Sequence, residues 1–426
     1  MLKFRLVVMN FLQYYIWGAW LLTIGAWWFQ TQHWSSTSFG VIFSTMGIAS
    51  LFMPSIAGII ADKWVHAERL YGTLQILGAI MLFIVPMVPD PELMFWVMLV
   101  NMIFYMPTIS LAIAVAYNAL KRDGQDVVKT YPPIRVWGTI GFIAATWTTS
   151  LLGFEASDTQ FYVAAGASLL LGIYAFTLPA CPPGLRASQQ RSLADRLGLT
   201  AFVLFKNRNM AVFFIFAMLL GAALQLTNAY GVAFLKSFEK VPEYVHLFTV
   251  QHSAIIISIS QFSEVCFILA IPFFLKRFGI KTVMVMSMLA WVLRFGLFGF
   301  GNPDWHSGLW MIVLSCIVYG MAFDFFNISG SLYVEEVADP RIRASAQGLF
   351  MFMTNGVGAV AGSLIAGWVI EAFFTDHTCN ALTTICRDWR DIWLSFAGYA
   401  LVMAIVFIPL FKYRHKRGDA HITGGA

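Results

Sequence analysis

Glu264 is the lone carboxylate in the apolar run from Gln251 to Lys276, thirteen residues after the first and twelve before the second. At about 1.5 Å of rise per residue it lies roughly 18–20 Å from either end of a helix, near the middle of a bilayer. An ionised carboxylate facing lipid there costs several kcal/mol, so the group must be protonated, paired or turned towards a wet cavity. Proton transfer and ligation of a polar solute are the chemistries open to it.

Residues three apart on a helix differ by about 60° in direction. Gln261 therefore shares a face with Glu264, and Gln225 shares one with Asn228 on the preceding apolar run. A single amide reads as an interhelical hydrogen bond, worth around 0.6–2 kcal/mol. Two amide faces on successive helices, with a carboxylate at the same level, favour a ligand site. Arg135, Thr139 and Phe142, at i, i+4 and i+7 of PPIRVWGTIGF, form one stripe. Arg135 is open to two readings, a ligand contact or an interfacial side chain snorkelling to headgroups.

Tyr319 and Phe323 in VYGMAFDFFNISGS are four apart and make an aromatic face suited either to a flat ring or to core packing. Asp324 points about 100° away from Phe323 and so towards a neighbouring helix. Arg294 is the expected partner, because both lie some ~17–20 Å from the same end of their helices. Such a pair could be structural, or could couple proton movement or gate the path.

The elements that carry these residues must cross a membrane. The composition is 59% hydrophobic and only 12% charged, against about 25% charged in soluble domains. About twelve long runs are nearly free of charge. They divide six and six, giving an N-terminal bundle over residues 1–180, a polar linker over 181–208, a second bundle over 209–412 and a tail over 413–426. The linker starts Pro-Pro-Gly, and its basic remainder predicts a short amphipathic helix on the membrane surface. The expectation is an all-α membrane protein of twelve transmembrane helices in two six-helix bundles, with the solute held between them.

An even number of spans puts both termini on one side. Of the 27 Lys and Arg residues, 21 fall on that side and four on the other, which predicts cytoplasmic termini in a cell inner membrane. The net charge of +5 thus reflects topology, and no nucleic-acid partner is read from it. The first span lacks a cleavage site and is expected to remain as a helix. Cys379 and Cys386 share the last loop on the far side, where a disulfide can persist; a bridge and two free thiols are both open. No cofactor or metal is expected. A membrane-embedded enzyme would need a base or metal ligands inside the spans, and no His lies in the polar clusters.

Two loops, GIIADKW (58–64) and KRFGIK (276–281), occupy matching places in the two halves and resemble the signature loop of the major facilitator superfamily. Together with FLQYYIWGAW, YPPIRVWGTIGF, LTAFVLFKNRNMAVFFIF, ISQFSEVCFILAIPFFLKRFGIK and VYGMAFDFFNISGSLYVEE, the chain resembles the bacterial nucleoside:proton symporter family, nearly from end to end. That resemblance implies monomeric, proton-driven nucleoside uptake by alternating access, with protons and nucleoside as partners in a lipid bilayer. It implies that Arg135 and Thr139 bond the nucleoside and Phe142 packs against it. Gln225, Asn228, Gln261 and Glu264 would bond ribose hydroxyls and base edges, Tyr319 and Phe323 would stack on the base, and Asp324 would be a coupling or gating acid. The residues alone reach only a neutral polar solute, so xanthosine or a sugar are alternative cargoes.

Overall fold

The computed structural model describes residues 2–183, 199–306, 308–339, 342–379 and 385–413. Among these the chain is helical, apart from one isolated antiparallel bridge between Thr375 and Arg387. The predicted amphipathic linker helix and most of the tail fall outside the described residues.

The first helices are α1 (Leu2–Gly18), α2 (Ser36–Lys63), α3 (Ala67–Ile84), α4 (Pro91–Arg122), α5 (Val127–Leu151) and α6 (Thr159–Ala175). After a 3₁₀ segment at Leu199–Lys206 comes α7 (Arg208–Ser237). Ser35, Asp90 and Asn207 each accept a backbone N–H at a helix start, meeting donors that the first turn leaves unpaired.

A continuous helical stretch of 48 residues, Ser253–Phe300, follows. Straight, it would reach about 72 Å, far beyond a bilayer of about 30 Å. It folds back at Gly279, whose φ of 76° is open to glycine and strained for other residues. The stretch is thus two helices, α8 (253–278) and α9 (280–300), and the glycine of KRFGIK is the hinge residue of that loop. Then come α10 (Leu309–Val337), α11 (Arg343–Met351), a π-helical turn Phe352–Gly358, α12 (Ala359–Phe374) and α13 (Trp389–Leu410). Eight helical stretches among the described residues are long and apolar enough to cross a membrane. Large apolar side chains stay outermost, among them Leu269, Phe273, Ile365 and Val402, as expected where the solvent is lipid.

Inside, polar groups are either tied together or left unpaired. Gln13 on α1 donates to Thr108 (2.9 Å) and accepts from Tyr71 and Gln75 (both 2.7 Å). Ser168 donates to Gln75 (2.9 Å), and Tyr105 donates to the Gln13 carbonyl (2.7 Å). This network locks α1, α3, α4 and α6 into one body.

The contacts between the early and late helices gather at the end away from both termini. Trp147 donates to Ser258 (2.9 Å), and His252 Nδ1 lies 3.1 Å from the Ser150 carbonyl. Gln30 donates to the Lys236 carbonyl (2.6 Å), and the backbone N–H of Ser36 to Glu371 (2.6 Å). Beneath them α2 meets α12 at Gly40 and Gly367. A Cβ on Gly40 would lie 2.2 Å from the Ser363 carbonyl, so only glycine lets the two backbones approach this closely.

Candidate substrate and proton site

Arg135 lies in the third turn of α5, and its guanidinium stands 4.0 Å over the ring of Tyr14 on α1. From there its charge acts on Glu264 across the molecule on α8. Of the two readings of Arg135, headgroup snorkelling is therefore not what its geometry supports. Tyr14 is a member that the sequence analysis did not single out: it feels both Arg135 and Glu264. Its signal was present in the i, i+3 spacing with Trp17, whose ring lies 6.5 Å away. Thr139 and Phe142 follow on the same helix, both half-buried.

On the other side Glu264 is half-buried. Glu264 acts electrostatically on Asp324 of α10, so the two carboxyls share one region. Tyr319 feels Glu264, Asp324 and Arg294 together. The rings of Tyr319 and Phe323 are 5.9 Å apart and 12° from parallel, the shelf expected from their spacing. Tyr319 is nearly covered and Phe323 is half-buried.

Gln225 and Gln261 each have a buried side-chain oxygen without a hydrogen-bond partner, as does one carboxyl oxygen of Asp324. Leaving such an acceptor unmet costs about 1–3 kcal/mol. The satisfied amides of Gln13 and Gln75 show that this protein can pair buried amides where they serve as scaffold. Asn228 is half-buried one turn from Gln225. These groups on α7, α8 and α10 can take hydrogen bonds from hydroxyl or ring N–H donors, beside an aromatic face.

One expectation is corrected. Arg294 does not pair with Asp324, and among the described residues no ion pair reaches Arg294. Its Nε donates to Thr227 (3.3 Å), and its Nη1 to the Ser315 carbonyl (2.9 Å) and to Ser260 (3.4 Å). The depths do not agree: on the antiparallel α9 and α10 Arg294 stands level with Ser315 and Ser287 with Ala322, so Asp324 lies about 13 Å further along α10, and Arg294 packs instead 4.5 Å from the Tyr319 ring.

At the far end, sequence reasoning missed Glu155. It sits in the short loop between α5 and α6 and is 1% exposed. It accepts from the backbone N–H of Ala254 (2.9 Å) and lies 3.6 Å from Lys236 at the end of α7. Nothing in a loop sequence separates a buried acid from a solvated one. Cys379 and Cys386 are joined by a disulfide. Beside it, Asp376 N–H donates to the Cys386 carbonyl (2.7 Å) and Asp388 N–H to the Phe374 carbonyl (2.9 Å). The arm so fixed carries Arg387 over the ring of Phe29 (3.9 Å), where its Nε donates to Ser36 (2.9 Å).

Long apolar helices around a half-buried polar centre, joined tightly at one end, define a multi-helix membrane transporter. The chain belongs to the nucleoside H⁺ symporter family, whose family model matches residues 1–416, and its function is proton-coupled nucleoside transport. It is 54% identical to the xanthosine permease of Escherichia coli K12 over 96% of each chain. It is 50% identical to the nucleoside permease NupG of the same organism, over 98% of this chain and 97% of that one. A crystal structure of the nucleoside transporter NupG superposes with a TM-score of 0.90 at 49% identity, covering 97% of this chain and all of the other. A POT family transporter at 14% identity, with a TM-score of 0.68, shares the fold.

Proposed function

We propose that this chain takes nucleosides up across the cell inner membrane as a monomer, by alternating access between two six-helix bundles over residues 1–180 and 209–412. Twelve spans follow if α8 and α9 each cross and α1, α5 and α6 do so as well. Both termini and the 181–208 linker then lie in the cytoplasm, as the distribution of Lys and Arg supports. The sealed end is periplasmic, and the conformation described above is the inward-facing one.

The nucleoside sits between Arg135, Thr139 and Phe142 on one side and Gln225, Asn228, Gln261 and Glu264 on the other, with its base against Tyr319 and Phe323. A nucleoside is neutral, carries hydroxyl donors and has a flat π face. Unpaired amide oxygens beside an aromatic shelf match it. Glu264 and Asp324 carry the coupled proton. Two carboxyls in one low-dielectric region resist being ionised together, so one proton is held until the geometry changes.

The observation that carries this reading is the group of buried acceptors without partners on Gln225, Gln261 and Asp324 beside the stacked rings of Tyr319 and Phe323, because the hydroxyls and flat base of a nucleoside answer both. The test is uptake of radiolabelled uridine and xanthosine into proteoliposomes with an imposed inward proton gradient. Accumulation above equilibrium that collapses with a protonophore is the expected result. Gradient-independent equilibration, or competition by sugars in place of nucleosides, would overturn it. The two cargoes are the reason for using both labels, since relatives named for each are similarly close to this chain.

A further inference from the structure

Arg294 is a fully buried guanidinium with no carboxylate among its contacts in the described residues. A cation in that position is expensive unless its donors are met; Nε and Nη1 meet neutral groups only, and Nη2 has no hydrogen-bond partner among the described residues. Those groups are distributed in a pattern. Thr227, on α7, lies between Gln225 and Asn228. Ser260, on α8, precedes Gln261. Ser315, on α10, lies one turn before Tyr319 and also donates its hydroxyl to the Arg294 carbonyl (2.9 Å). The guanidinium plane covers Tyr319 at 4.5 Å and Phe298 at 5.1 Å.

We infer that Arg294 is a positioning residue for the nucleoside site, holding from behind the three helices that carry its amides, its acid and its aromatic shelf. The inference rests on the site proposed above and adds a residue that touches neither nucleoside nor proton. A planar fork with five donors can bond three helices and stack on a ring at once, which a lysine ammonium cannot. Contact with the cation fixes the plane of Tyr319, and through it the near-parallel Phe323 ring that meets the base. The absence of an acid partner matters too. With neutral partners only, the guanidinium is held at 4.5 Å over Tyr319.

The test is a double-mutant cycle on the purified full-length protein, with Kd measured for uridine and xanthosine and unliganded melting followed in parallel. Arg294→Lys keeps the charge and loses the fork. It should weaken binding about tenfold, as expected for loss of a desolvated cation–π contact and its hydrogen bonds. In a Tyr319→Leu background the same change should cost little further affinity, because the ring it orients is gone. Should Arg294→Lys unfold the protein, Thr227→Val removes one strut alone and should still weaken binding. Additive losses in the cycle, or a fall in melting temperature with Kd unchanged, would overturn the inference. Loss of proton coupling in Arg294→Lys with Kd intact would also overturn it and make Arg294 a coupling group. If wild type binds neither uridine nor xanthosine, the nucleoside reading fails, which is a separate outcome.

Discussion

Glu155 and Lys236 approach to 3.6 Å across the far end of the molecule, with the carboxylate side chain 1% and the ammonium side chain 10% exposed. Lys236 also meets Glu239 at 2.5 Å, and His252 adds positive character when protonated. Burial pushes the Glu155 carboxyl above its ordinary value of 4.5, outweighing Lys236, the backbone bond from Ala254 and His252, which act the other way. Opening the far end would return the group to water and to its ordinary value, so the closed form binds the proton more tightly. Closure therefore gains as pH falls through the closed-state value, gains fully below the ordinary one, and loses that contribution as pH rises. The prediction is a shorter distance between spin labels at Glu92→Cys and His306→Cys in acid, in a background lacking the three free cysteines. Glu155→Gln should flatten that dependence. A distance that lengthens in acid would reverse the sign and refute this account.

Glu264→Gln keeps the shape and the acceptor oxygen of the side chain but cannot carry a proton. It should leave nucleoside exchange across the membrane in place and bring accumulation down to equilibrium. Counterflow and gradient-driven uptake measured side by side check this. Continued accumulation would transfer the coupling role to Asp324.

The disulfide-closed arm carrying Arg387 onto Phe29 and Ser36 predicts a redox effect confined to the far end. A bridge over a loop this short limits the open chain by about 2–3 kcal/mol. Reduction by a membrane-impermeant thiol, or Cys379→Ser with Cys386→Ser, should broaden the same spin-label distance while leaving nucleoside affinity unchanged. An unchanged distribution would mean that Arg387 keeps its seat without the bridge.

Gln13→Leu separates scaffold from site. It strands the hydroxyl of Tyr71 and the amide of Gln75 without acceptors, at about 1–3 kcal/mol for each buried group. Thermal unfolding should register the loss while KM for nucleoside stays constant. A raised KM with unchanged melting would move Gln13 into the site.

Much of this was legible from spacing alone. The i, i+4 separation of Tyr319 and Phe323 yields the stacked shelf, and KRFGIK yields the break at Gly279, since local geometry is fixed by local residues. What spacing supplies for more distant partners is a height counted from a helix end, which fixes neither the register between helices nor the direction around them. Arg294 and Asp324 count to similar depths from their helix ends, yet the register of α9 on α10 sets Arg294 beside Ser315, and the guanidinium meets Thr227, Ser260 and Ser315, polar residues too small and too common to announce themselves. Tyr14 and Glu155 depend on which helices meet and at which end they meet, and a single sequence does not carry that.

The turn at Gly279 has a mechanical corollary. One glycine joins α8 to α9 with no slack, so Glu264 and Arg294 ride on two arms of the same stiff hairpin. Any rocking stroke that carries the acid must bring the guanidinium along with little backlash. The shelf should therefore keep one alignment while access to it passes from one side of the membrane to the other.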